Sequence, residues 1–97
     1  MSYDSASYFI GDVKKFEVTT VKDSVNWSCT AVTLYLVDPD GNVDSYTATQ
    51  DSTYVWSKTV STAILDQRGD WRRYWTATDG VTTLTCGEVE FYVKQIE

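Results

Sequence analysis

The chain contains no histidine. A Ser-His-Asp or Cys-His arrangement is therefore excluded, and with it the ordinary imidazole base. Two cysteines, Cys29 and Cys86, cannot make a zinc centre, which needs about four Cys or His ligands at short spacings. Positive charge is scarce: eight Lys and Arg against fourteen Asp and Glu leave a net charge of −6. No cationic tract exceeds the pairs Lys14-Lys15 and Arg72-Arg73, so there is no basic face to release counterions, which argues against nucleic acid as a partner. No apolar run approaches the roughly 18–20 residues of a membrane span. The opening "MSYDSASYFIGD" lacks a basic segment followed by an apolar one, so no secretory signal is read and synthesis in the cytoplasm is expected. The five glycines are scattered singly, which leaves no phosphate-cradling loop. Acidic side chains fall on turns and outward strand positions, and nothing pairs two of them around a cleft as acid and base. The expectation is a protein that is not an enzyme and has no metal or cofactor.

What the chain has in quantity is aromatic and β-branched residues. Seven tyrosines, four tryptophans and three phenylalanines stand in 97 residues, with valine and threonine throughout. These side chains fit a pleated surface better than a helix. The length makes one domain, residues 1–97, which buries roughly 60–65% of its unfolded surface. Its first six residues are polar and expected to be loose.

Period-two alternation dominates, and no segment keeps helical spacing for more than a turn. "VKKFEVTTV" (13–21) puts Phe16 and Val18 on one face; "AVTLYLV" (31–37) puts Val32, Leu34 and Leu36 inward; "GEVEFYV" (87–93) puts Val89, Phe91 and Val93 inward. Pro39-Asp40-Gly41 and Asp79-Gly80 mark two hairpins. Asp38–Asp44 begins like a calcium loop, but Gly41 comes at position four where that loop needs its glycine at six, so the hairpin reading prevails. Further strands are expected at 7–10, 43–48, 54–60 and 71–78. About seven short antiparallel strands with regular turns read as a β-sandwich.

"RGDWRRYWTATDG" (68–80) opens with an adhesion tripeptide, Arg68-Gly69-Asp70, yet it reads as fold. In sandwiches of the immunoglobulin kind a large aromatic at the start of a strand locks the preceding corner. Leu65 packs inward, Gly69 shapes the turn, Trp71 takes the corner, and Trp75 follows on the same face. Alternation also turns Arg73 inward, so either a bulge shifts the register or the guanidinium runs along an indole to the edge. With Trp56 the candidate core is Phe16, Val18, Val32, Leu34, Leu36, Trp56, Leu65, Trp71, Trp75, Val89, Phe91 and Val93.

"VTLYLVDPDG", "GDWRRYWTATDG" and "GEVEFYVK", in that order, resemble the small immunoglobulin-like domains encoded by tailed bacteriophages and prophages, over roughly residues 11 to 94. The resemblance implies an all-β, immunoglobulin-like antiparallel β-sandwich of about seven strands. It further implies a structural or accessory protein of the virion at the head–tail region, capsid surface or tail. Such a protein works by contacts with other virion proteins, in the host cytoplasm during assembly and then in the particle. The alternative expectation is an adhesion module that binds a glycan or protein of the host surface through loop-end aromatics, with Trp27 as a stacking platform. If three of the strands form one sheet, its solvent face carries Tyr35, Arg72, Tyr74, Glu88, Glu90 and Tyr92, residue types that anchor protein interfaces. Cys29 and Cys86 would share one end of the sandwich about 9.6 Å apart across two strand spacings, against 4.4–6.8 Å for a disulfide, which favours free thiols.

Overall fold

The structure is a computed structural model that describes residues 2–60 and 64–94, and side chains from Tyr8 onward. Ten strands and no helix occur among the described residues. They are β1 (Ser2–Phe9), β2 (Lys14–Thr19), β3 (Val21–Lys22), β4 (Val25–Asn26), β5 (Ala31–Val37), β6 (Val43–Thr47), β7 (Thr49–Gln50), β8 (Val55–Val60), β9 (Gly69–Thr78) and β10 (Thr83–Lys94). A five-stranded sheet runs β1-β10-β9-β5-β6, a three-stranded sheet runs β2-β8-β7, and β3 pairs with β4 alone.

The inward faces of the two larger sheets meet. Phe16 from β2 lies 5.7 Å, between ring centroids, from Phe91 of β10, and Tyr8 touches both, at 5.9 and 5.2 Å. Trp71 stacks on Phe91 at 6.2 Å. Around this aromatic centre Val32, Leu34, Leu36, Trp56, Val60, Leu65, Trp75, Ala77 and Val93 are buried in one cluster. Each fully buried large apolar side chain contributes about 2–3 kcal/mol of transfer free energy, so these rings and aliphatics hold the layers together. The arrangement is all-β and compatible with a β-sandwich.

Three details differ from the sequence reading. The first strand is longer than the 7–10 expected: Ser2–Phe9 pairs in parallel with β10, Ser2 opposite Val89 and Phe9 opposite Lys94. Tyr8, buried between Phe16 and Phe91, anchors its end. The strand expected over 13–21 stops at Thr19. Thr20 is fully buried, its hydroxyl donating to the Trp27 carbonyl at 2.6 Å, and the chain restarts as a separate hairpin. Asp23 and Ser24 both take positive φ there, 54° and 65°, the two-residue turn that suits a twisted hairpin. Finally, Val89 is half-buried instead of buried. It faces Arg73 across the β9–β10 ladder, and that long cationic side chain shares the inner surface with it.

Arg73 itself does point inward. The β5–β9 register is regular, and the guanidinium lies 4.6 Å from the Phe16 ring centroid and 5.5 Å from that of Phe91. The charge is thus held over phenylalanine faces, not along an indole. The register shift is in β10 instead, between Cys86 and Val89, with Gly87 in the left-handed region at φ 63°. The extra residue changes the phase of the strand: Leu84 and Cys86 face inward before it, Phe91 and Val93 after it.

Both turns read from the sequence are built as hairpins. Asp38 accepts from the backbone N–H of Asp40 and Asn42, at 3.0 and 2.8 Å. Asp79 accepts from Thr82 and Val81 at 2.8 and 2.9 Å, and these two donors hold its carboxyl below the usual carboxylate range. The Trp71 corner is present as well. Its indole N–H donates to the Gln67 carbonyl at 2.9 Å, while Gln67 reaches Asp40 at 3.1 Å. Gly69 lies so close to Pro39 that a Cβ would stand 2.8 Å from the proline Cγ. Two turns remote in sequence are therefore clasped. Gly69 and Asp70 of the Arg-Gly-Asp tripeptide are the first residues of β9, not a hairpin tip.

Cys29 is buried, Cys86 half-buried, and both thiols are free. Burial, with Cys29 nearby, pushes the Cys86 thiol above its ordinary pKa, so less of it is thiolate at any given pH. Native protein at about pH 8 is expected to react with a disulfide reagent at least ~10-fold more slowly than free cysteine. Two thiols should be titrated after denaturation without reductant. None after denaturation would mean that the pair is bridged.

The outer face of the five-stranded sheet as candidate functional site

Strand alternation gives the five-stranded sheet an outer face that the smaller sheet does not cover. The central strands supply it. Tyr35 on β5 stands directly opposite Tyr74 on β9, and the two rings stack at 4.9 Å with an interplanar angle of 8°. One row along, Arg72 stands between Val37 of β5 and Glu90 of β10. Its guanidinium lies 5.9 Å from the Tyr74 ring centroid. One row further, Asp70 pairs with Tyr92, which is 38% exposed.

The bulge at Gly87 sets the rest. With one residue added, Glu88 stands beside Arg72 at 3.8 Å, a long and half-exposed ion pair worth at most a few tenths of a kcal/mol. Glu90, the register partner of Arg72, is not its ion-pair partner. Arg72 Nε is buried without a hydrogen-bond acceptor among the described residues. The guanidinium is thus incompletely satisfied by the described residues. Arg72, Tyr74, Thr85 and Glu88 line a shallow depression of about 210 Å³, and a second of about 180 Å³ lies on the other side of Arg72, lined in part by Val37, Asp70 and Glu90.

All six residues that the sequence places on a solvent face, Tyr35, Arg72, Tyr74, Glu88, Glu90 and Tyr92, belong to these three adjacent strands. Thr85 was not foreseen as part of it. Its signal is its place opposite Thr76 in the half of β10 that precedes the bulge, where the phase of outward positions is reversed.

No family model matches the chain, and no curated protein matches it.

The outer face of the three-stranded sheet differs in chemistry. Lys15 pairs with Glu17 and Asp51, both at 3.5 Å. The Ser57 hydroxyl, and then Lys15, hold the Asp51 carboxyl below the usual range, while Asp51 raises Lys15. A groove of about 380 Å³ here is lined by Lys15, Thr49, Asp51, Ser57, Lys58 and Thr59. It contains no aromatic residue, and its Lys15 and Asp51 are paired with each other. Trp27, the proposed stacking platform of the adhesion alternative, is half-buried against the core, with the Lys22 ammonium 5.9 Å from its ring centroid. No group of three or more His, Cys, Asp or Glu among the described residues is placed to hold a metal ion.

Proposed function

We propose that this protein is an immunoglobulin-like β-sandwich that acts without catalysis, as a structural or accessory component of a bacteriophage particle. It binds its neighbour through the outer face of the five-stranded sheet. The observation that carries the contact reading is the stacked Tyr35–Tyr74 pair beside an incompletely satisfied Arg72, on one outer face and not on the other. Tyrosine supplies a large contact area at small entropic cost, arginine a planar fork of donors, and both recur at the centres of protein interfaces. The strand orders β10-β9-β5-β6 and β2-β8-β7 support the immunoglobulin-like assignment, as does the Trp71 corner. The phage role rests on the sequence resemblance. It carries with it other virion proteins as partners and a passage from host cytoplasm to particle.

Quantitative mass spectrometry of particles purified from the host that carries the gene tests this. The chain is expected in them at a fixed copy number. Tyr35→Ala with Tyr74→Ala should lower that occupancy at least ~10-fold while the isolated protein still unfolds cooperatively. Lys15→Ala with Thr59→Ala, on the other outer face, should leave it unchanged. Absence of the chain from particles would end the virion assignment.

A further inference from the structure

Resting on that contact reading, we infer the chemistry of the partner: a protein surface that presents an arginine to the Tyr35–Tyr74 stack and to Glu88. Three features converge on it. The first is charge. Asp70, Glu88 and Glu90 lie on this face against two cations, Arg72 and, at the end of β10, Lys94, and Arg72 engages Glu88 only at 3.8 Å. A net charge of −6 over the whole chain extends the same preference to long range, steering cationic surfaces inward.

The second is geometry. The two phenol rings are stacked in nearly parallel planes, 8° apart, which leaves only the outer face of each ring open, and Tyr74 borders the depression it shares with Thr85 and Glu88 on the neighbouring strand. A guanidinium entering that depression can lie against Tyr74 and fork to the Glu88 carboxylate. The ammonium of a lysine, a compact and strongly hydrated charge, matches this less well. The chain already makes one such contact with its own Arg72, at 5.9 Å from the Tyr74 centroid. The depression bounded by Arg72, Tyr74, Thr85 and Glu88 has room for the incoming side chain.

The third is what the face repels. A second copy docked face to face would add its own excess of carboxylates to this one, and a phosphate backbone would meet the same carboxylates. Like charges set opposite each other at an interface oppose binding. A cationic protein surface is the occupant that removes the excess charge.

The probe is a blocked Gly-Arg-Gly-Arg-Gly peptide, with its citrulline counterpart, which has nearly the same shape and no charge. Each is titrated into the isotope-labelled full chain and followed by NMR. The arginine peptide is expected to shift the Tyr35 and Tyr74 ring signals and the amides of Thr85 and Glu88, and the citrulline peptide to bind at least ~3-fold more weakly. Raising salt from about 50 to about 300 mM should weaken the arginine peptide further. Glu88→Gln with Glu90→Gln should reduce its affinity at least ~3-fold, and Tyr35→Leu should do the same without altering cooperative unfolding. Equal shifts from both peptides, or shifts spread evenly over Asp23, Asp44 and Asp51, would overturn the inference. So would a concentration-dependent dimer abolished by Tyr35→Ala. If the tyrosine double variant drops out of particles while the arginine peptide ignores this face, the contact surface stands and its cationic partner falls. If neither result is obtained, both fall.

Discussion

Trp75→Ala is expected to destabilise the protein by about 3–5 kcal/mol, the range for deleting a buried tryptophan. Trp75 is 1% exposed and lies on the central strand of the large sheet, between Leu34 of β5 and Cys86 of β10. Both neighbouring strands are fixed by their ladders, so collapse around the vacated volume is restricted and the cost lies toward the upper end. Domains of this size are stable by only about 5–15 kcal/mol, so a large fraction is lost. The thermal midpoint should fall by about 15 °C or more. Urea unfolding followed by circular dichroism checks it, with a lower midpoint and an unchanged slope as the expected pattern. A loss below about 1 kcal/mol would mean that this indole does not join the two layers.

Gly87→Ala should cost about 2–5 kcal/mol although it removes nothing. Two effects add. The left-handed conformation at φ 63° carries a penalty of about 1–2 kcal/mol for any residue with a Cβ. The added methyl would also stand 2.8 Å from Cδ1 and 3.3 Å from Nε1 of Trp75, and 3.4 Å from Cγ2 of Val18. An indole packed on both sides does not yield cheaply, and overpacking of this kind costs about 1–3 kcal/mol. The two sites are therefore coupled. In a Trp75→Leu background the penalty of Gly87→Ala should shrink by about 1 kcal/mol or more, leaving the backbone part. Strict additivity in that double-mutant cycle would show that the contact is not the cause.

The bulge also explains what the sequence could and could not reveal. β5 was legible in full, because Val32, Leu34 and Leu36 alternate with Thr33, Tyr35 and Val37 on a strand with ladders on both sides. The Pro39-Asp40-Gly41 and Asp79-Gly80 turns were legible because their residues bring particular φ values. So was the Trp71 corner. In β10 the pattern after Gly87 could be read, but the phase change before it could not. Leu84 and Cys86 fall on the opposite parity from Phe91 and Val93, and only the pairing with Trp75 and Ala77 assigns their face. Tyr8 fell in the strand expected over 7–10, but nothing local marks it out from Phe9 and Ile10 as the buried residue. Its burial depends on the parallel pairing of β1 with β10, a long-range contact with no local signature. Thr20 breaks the strand at a position where threonine is a good strand former, because a tertiary demand, its hydroxyl on the Trp27 carbonyl, outweighs local preference. The six-residue outer face followed from alternation, whereas the ring stack needed the β5–β9 register that sets Tyr35 opposite Tyr74.

The clasp between the Pro39 turn and the Gly69 corner makes the two ends of the molecule unequal. At that pole, lengthening either loop would pull Gln67 from Asp40 and open the space beside Pro39. The 79–82 hairpin at the far end closes on itself, and its Val81 stands 94% exposed. An epitope inserted after Val81 would thus project from one pole without disturbing the other. Labelled in that way, the molecule becomes a pointer whose direction can be read inside a larger assembly.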